Sequence, residues 1–263
     1  YGLSLSTGGQ TQLAGRKLGY LAAASYSADS QTRFEEVRTF YLDADAERRP
    51  LLRPNIAYDN GFFADGTPRK SWRSTSSVQW GLLGSLSLQL APLHRLSLTT
   101  LFTQNSDDEA RQYQGYSQSS DREVSYTRLR FVSRSLLFVQ LAGNSLLQNR
   151  LGDGVIDWNA TYALAARGEP DNREVAYQRG TEGGAFRLAN SGTSGQRFYS
   201  QNGEHQVYAA ADYGQGFRFL AGRVARFRVG AAARGRFREF SANRYRFGYT
   251  GVAPLDASRP PED

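Results

Sequence analysis

From Val78 to Leu90 apolar and polar side chains trade places at every second residue. Val78, Trp80, Leu82, Leu86, Leu88 and Leu90 fall on one face, and Ser77, Gln79, Gly81, Leu83, Ser85, Ser87 and Gln89 fall on the other. Only an extended chain sorts residues this way, because successive side chains of a strand point to opposite sides. After Ala91-Pro92-Leu93-His94 the alternation resumes, with Leu96, Leu98, Thr100 and Phe102 against Ser97, Thr99, Leu101 and Thr103, so the segment is a hairpin. At about 3.3 Å per residue and a tilt of about 45°, the first run rises roughly 28 Å, which is twice the usual strand of a soluble sandwich and close to the apolar band of an outer-membrane barrel.

The same pattern recurs along the 263 residues. A strand end at Tyr1 to Thr7 is followed by a turn from Gly8 to Arg16, then one long strand expected from Lys17 to about Tyr41 with Leu18, Tyr20, Ala22, Ala24 and Tyr26 on one face. A polar connection, Leu42 to Lys70, leads into the hairpin, and a further loop is expected from Asn105 to Asp121. From Glu123 to Gly143, Leu129, Phe131, Leu137, Val139 and Leu141 oppose Arg128, Arg130, Arg134 and Gln140. After a turn from Gln148 to Gly154, Ile156, Trp158, Ala160, Tyr162 and Leu164 alternate with Asp157, Asn159, Thr161 and Ala163. A long connection is expected from Gly168 to Gly203, and the last hairpin turns between Gly214 and Gly222. Short and long connections thus alternate through about eight strands.

No run of about 18 apolar residues occurs, so a membrane protein of this composition must cross as a barrel. The apolar face then meets lipid, the polar face meets water, and the sheet must close so that every backbone group is paired. Trp158, Tyr20 and Tyr213 near the short turns and Trp80, Tyr26 and Phe102 farther up the strands are placed as two aromatic belts. Arg128, Arg130, Arg134, Arg226, Arg228 and Arg234 on the water side would crowd an eight-stranded interior, which favours a larger barrel. The reading is an all-β antiparallel transmembrane β-barrel segment, with short periplasmic turns and long external loops, in the bacterial outer membrane. A soluble β-sandwich is the contrary reading of the same aromatics.

The chain has no Cys and no Met, a net charge of +7, and only Lys17 and Lys70 as lysines. Disulfides, thiol catalysis and cysteine metal sites are excluded. No basic helix or nucleic-acid module accompanies the charge, so no nucleic-acid partner is expected.

The stretches YTRLRFVSRSLLFVQLAG (Tyr126 to Gly143), ARGEPDNREVAYQRG (Ala166 to Gly180) and ARFRVGAAARGRFREFSANRYRF (Ala225 to Phe247) resemble the barrel of TonB-dependent outer-membrane receptors, in particular the Oar-like subgroup with a carboxypeptidase-regulatory-like N-terminal domain. That resemblance implies a barrel of about 22 strands closed by a plug. Residues 1–263 would be a partial transmembrane β-barrel, with no plug domain, no TonB-contacting box and no closing C-terminal strand ending in an aromatic residue. It would end at Pro260-Pro261-Glu262-Asp263 in an external loop. The resemblance also implies capture and import of an external ligand, with TonB engaged through the missing N-terminal region. Surface adhesion without transport, a structural barrel, or a small self-contained β-barrel are the alternatives.

No catalytic residue, cofactor site or metal site is assigned, and the chain is not expected to be an enzyme. His94 sits in a tight turn and His205 is expected to open a strand, so neither stands as a base beside a nucleophile. Asp43, Asp45 and Glu47, and Asp107, Asp108 and Glu109, are expected on loops, where loop calcium is the chemical alternative to a solvated acidic surface. Ligand binding is assigned to Tyr58, Phe62, Phe63, Tyr113, Tyr116, Tyr177, Phe198 and Tyr199. Arg33, Arg38, Arg69, Arg73, Arg111, Arg122, Arg236 and Arg238 are expected at strand ends or loops, where guanidinium groups suit lipopolysaccharide phosphates. The partners expected are therefore outer-membrane lipid and lipopolysaccharide, TonB, and an external ligand of unknown identity.

Overall fold

The structure, a computed structural model, describes residues 1–34, 37–44, 48–118, 120–149, 152–189, 194–218 and 224–247. Within them eleven strands and no helix build one antiparallel sheet. They are β1 (Gly2–Leu13), β2 (Arg16–Phe34), β3 (Val37–Ala44), β4 (Pro50–Tyr58), β5 (Trp72–Ala91), β6 (His94–Ser117), β7 (Arg122–Asn149), β8 (Gly152–Gly180), β9 (Gly183–Leu188), β10 (Gln196–Arg218) and β11 (Val224–Arg246). The continuous path is β1-β2-β5-β6-β7-β8-β10-β11, an up-and-down meander. The β3–β4 hairpin lies off this path, with β4 pairing to β6 where β5 has not yet begun, and β9 folds back on β8. Among the described residues β1 and β11 do not pair with each other, so the sheet is open.

The two described short turns obey different chemistry. Ala14 and Gly15 both take positive φ, 49° and 74°, which is the twist a two-residue hairpin turn needs. Pro92 cannot adopt positive φ, and the β5–β6 ladder shifts between Gln89 and Ala91 beside it. The connections at 150–151 and 219–223 lie outside the described residues, as does the tail from 248 to 263.

The strands run farther than expected. The stretch 105–121 is strand as far as Ser117, and 168–203 is mostly β8, which runs to Gly180, and β10, which starts at Gln196. Gly8 and Gly9, expected in a turn, lie within β1 opposite Leu21 and Tyr20. Both faces of the upper segments are polar, which hides the period of two. Their ladder is completed instead by cross-strand ion pairs such as Arg134 with Asp107 at 2.7 Å. The stretch 42–70 holds the end of β3, all of β4 and an ordered loop, with 45–47 outside the described residues.

Register sorts the main sheet into two faces. One carries Leu82, Phe102, Leu137, Leu164, His205 and Phe237 in one paired row, and Leu86 and Leu98 in another. Over 3–13, 18–28, 78–90, 96–102, 137–147, 154–164, 205–217 and 225–237 this face has no Asp, Glu, Lys or Arg. Among the described residues nothing covers it: Leu82 is 48% exposed, Val207 57% and Phe227 56%. The band also cuts obliquely across the ladder. Val78, at its edge on β5, corresponds through Ser106, Ser133, Gly168 and Gln201 to polar Ser241 on β11, where the band begins only at Phe237. At the other edge the Leu147, Gly154, Gln215 and Phe227 row lies beyond the β5–β6 turn.

The opposite face is mostly polar, with an apolar row of Ala23, Leu83, Leu101, Phe138 and Ala163 and scattered apolar residues such as Leu21, Leu136, Leu146 and Val155. Above the band β8 uses one more residue than either neighbour, with register shifts against β7 between Arg130 and Ser133 and against β10 between Phe198 and Ser200. Such a bulge changes which residues share a face.

Within the band Trp158 lies across Gly143, its directly paired neighbour, and a Cβ there would stand 2.3 Å from the indole Nε1. Gly143→Val is therefore expected to swing the indole off the sheet, changing the tryptophan emission and costing about 1–3 kcal/mol in denaturant unfolding; an unchanged spectrum and midpoint would show that Trp158 does not need this glycine.

Candidate functional site

Apart from Gln215, the few buried side chains among the described residues gather at the end of the sheet away from the short turns. Tyr113 is 1% exposed, and Phe63, Ala176 and Ala189 are each 7% exposed. Here the loop 59–71 is tied down by its own backbone and by β6 and β7. Ser71 Oγ donates to the Asp59 carbonyl at 3.1 Å, Lys70 N–H to Gln114 Oε1 at 2.8 Å, and Ala64 N–H to Glu123 Oε1 at 2.7 Å. Arg179 locks the assembly. Its Nε pairs with Glu123 Oε2 and its Nη1 with Asp65 Oδ2, both at 2.7 Å. Its guanidinium also covers the rings of Phe63 and Phe186, which meet edge to face at 5.5 Å. Burial alone would lower the Arg179 pKa, and the hydrogen bonds to Asp65 and Glu123 raise it.

On the polar face the same end carries a basic row. Arg33, Arg73, Arg111 and Arg128 occupy directly opposed positions on β2, β5, β6 and β7. Like charges placed so cost roughly 0.2–1 kcal/mol per pair. Arg128 is compensated by Glu109 at 2.6 Å and Glu174 at 3.8 Å. Arg111 stacks over the Tyr113 ring at 3.8 Å, and Arg73 Nη2 donates to the Tyr113 hydroxyl at 3.3 Å. Tyr113 in turn packs on Tyr58 at 5.4 Å. Burial raises the pKa of Tyr58 against the pull of Arg111, and burial with the Glu174 charge raises that of Tyr126, so both hydroxyls stay protonated near neutrality.

Of the eight residues assigned to ligand binding from the sequence, the structure joins Tyr58 and Tyr113 at this basic row. Phe63 is packed beneath Arg179, whereas Phe62 stays 68% exposed on the loop. Tyr116 donates to Asp121 at 2.6 Å near the β6–β7 tip. Tyr177 is half-buried on β8. Phe198 lies under Arg244 at 5.2 Å, while Tyr199 meets Tyr245 at 5.9 Å. They form several sites around the rim, not one.

The arginines divide likewise. Arg69 pairs with Asp59 at 2.8 Å. Arg236 and Arg238 sit within β11, bound to Glu204 at 3.2 Å and Asn202 at 2.7 Å, instead of at its end. Arg122 opens β7, and the side chain of Arg38 is outside the described residues. His205 does not open a strand: it lies inside β10, 2.8 Å from the Tyr162 hydroxyl. Asp107, Asp108 and Glu109 are not on a loop. They lie within β6, where alternation puts Asp108 on the other face and Arg134 and Arg128 take the remaining two. Asp45, Glu47 and the Asp43 side chain are outside the described residues. No group of three metal-ligating side chains is found among the described residues.

Sequence reasoning missed the Arg179 latch and the carboxylates of the β8 bulge. Glu169, 5% exposed, meets Arg130 at 3.4 Å and also Arg167, and Asp171 meets Arg173 and Arg197 at 2.7 and 2.6 Å. Hydrogen bonding from Arg197 leads the effects holding Asp171 below the usual carboxylate range. No known protein family, characterised protein or solved structure matches the chain.

Replacing Arg179 by Ala leaves Glu123 buried and unpaired, a loss of about 3–5 kcal/mol of local stability. Amide exchange at Ala64 and Gly66 should accelerate while the band amides of β5 and β6 keep their protection; protection unchanged at both loop amides would refute the latch. Asp65 is held at about 2, below its usual 3.8, first by hydrogen bonds from Thr67 and then by Arg179. Because the folded value is depressed, its contribution is complete above 3.8 and is lost as the pH falls through about 2. An acid titration should therefore keep the loop docked at pH 4 and release it nearer pH 2; release already near pH 4 would contradict the Asp65 contacts.

Proposed function

We propose that this chain is a stretch of wall of a bacterial outer-membrane β-barrel, of the TonB-dependent receptor type, which takes up an external ligand over its loop end. The observation that carries the reading is the uncovered apolar face, a charge-free band that crosses all eight strands of the main path at an angle to their ladder. Monomeric soluble proteins rarely leave contiguous apolar surface of that extent open to water. A lipid slab cutting tilted strands requires an oblique band. Trp80 and Phe102, with rings 4.9 Å apart, and Tyr26 lie toward one border, and Trp158 and Tyr213 toward the other, as in interfacial girdles.

The remaining features fit the same assignment. Beyond the band the apolar face turns charged, with Asp108, Asp171, Arg173, Arg197 and Glu239. The short turns would then be periplasmic, and the latched loop 59–71 with the β6–β7 and β8–β9 hairpins would be external. The edges β1 and β11 are where the wall would continue, since unpaired backbone has no partner in hydrocarbon. The apolar row through Leu83, Leu101 and Phe138 on the water side gives a plug domain a surface to rest on.

The absence of native Cys allows a direct test. In the protein embedded in bilayers, Ser85→Cys on the polar face should react with a membrane-impermeant maleimide at least tenfold faster than Leu86→Cys, one residue away on the band. Equal rates would sink the barrel reading.

A further inference from the structure

We propose that the arginine row on the polar face is a binding site for a soluble ligand bearing two or more phosphate groups. The site itself rests on strand register and side-chain contacts alone, and only the choice of a soluble ligand over lipopolysaccharide rests on the membrane reading. Four guanidinium groups stand on four consecutive strands, Arg33, Arg73, Arg111 and Arg128. Neighbouring strands are spaced about 4.8 Å apart, so the row offers a linear array of bidentate donors.

Two members of the array, Arg33 and Arg111, are not consumed by the fold. Carboxylates meet Arg128, but among the described residues Arg33 and Arg111 have no ion pair. Arg111 is held flat on Tyr113, and its Nε is buried with no hydrogen-bond partner. A guanidinium fixed by stacking is already oriented for an incoming anion at its outer N–H groups, so less side-chain freedom is lost on binding.

The space is present as well. Arg33 and Arg73 line a cleft of about 220 Å³ together with Asp29, Gln31, Thr75 and Ser77. Thr75 adds a hydroxyl donor, whereas the Ser77 hydroxyl already donates to Asp107 at 2.8 Å. Asp29 would repel an anion from its own part of the cleft and bias it toward the arginines. All six share the face opposite the apolar band. An anion anchored in lipid against that band is on the wrong side of the sheet, so the structure favours a soluble phosphate ligand over lipopolysaccharide for Arg33, Arg73 and Arg111.

The test uses the intact protein in detergent micelles with tripolyphosphate as the probe, followed by calorimetry. Wild type is expected to bind, and Arg33→Gln/Arg111→Gln to bind at least tenfold more weakly. The control, Arg226→Gln/Arg228→Gln, removes the same charge from the same face near the other end of β11 and should stay within twofold of wild type. Because the first pair relieves like-charge opposition, its unfolding midpoint should be no lower than that of wild type. Arg33→Gln alone, at an exposed position, should weaken binding severalfold and serves if the double variant does not fold. Retention of lipopolysaccharide should be the same in wild type and the double variant. Absence of tripolyphosphate binding by wild type, equal loss in both double variants, or loss of lipopolysaccharide in place of tripolyphosphate would overturn the inference. Binding in a protein that fails the maleimide test would keep the site and remove only the barrel.

Discussion

The backbone of the long strands can satisfy its N–H and C=O groups only across the sheet, and that requirement organises the rest of the molecule. Pairing neighbour to neighbour in a meander sets every register, and register decides which side chains share a row. One face then becomes continuously apolar through the middle of the strands without a second layer to cover it. Stability of such a sheet cannot come from a conventional core, because the described residues bury few large side chains. Whatever meets the apolar face therefore enters the energetics of the fold. The same requirement applies at β1 and β11, whose outer backbone groups the described sheet leaves open.

Electrostatics takes over where the hydrophobic signal stops. Above the band, strands continue because cross-strand carboxylates and guanidinium groups replace apolar pairs. Asp107 with Arg134 and Glu109 with Arg128 do so between β6 and β7. The β8 bulge carries two further ion-pair groups around Glu169 and Asp171. The latch at Arg179 joins three connections that are distant in sequence, since Asp65, Glu123 and Gly184 all contact it. Exposed pairs contribute little singly, but the Arg179–Glu123 pair is nearly buried and geometrically specific. It is what makes the loop 59–71 a defined surface.

Against this background the basic row stands out as a local conflict. A fold optimised only for stability would interleave signs along Arg33, Arg73, Arg111 and Arg128, as at the Asp107–Arg134 and Glu169–Arg130 pairs. Conflicts of this kind persist where a surface is shaped for something other than stability. The neighbouring tyrosines, Tyr113 and Tyr58, confine the row instead of neutralising it.

The period-two pattern by itself determined the strands of the band, their order as consecutive hairpins and the identity of the apolar face, because a strand's side chains alternate whatever its neighbours do. It also marked Arg33, Arg73 and Arg111 as arginines of one end, and Tyr58 and Tyr113 as rim aromatics. Only the tertiary structure decided that three of those arginines and Arg128 form one row, that Phe63 is buried under Arg179, and that Asp107, Asp108 and Glu109 divide between two faces. It also decided that β6, β8 and β10 extend through stretches whose two faces are both polar. The reason is physical: alternation is a local property of one strand, whereas rows, bulges and latches depend on register between strands, which no single stretch of sequence contains.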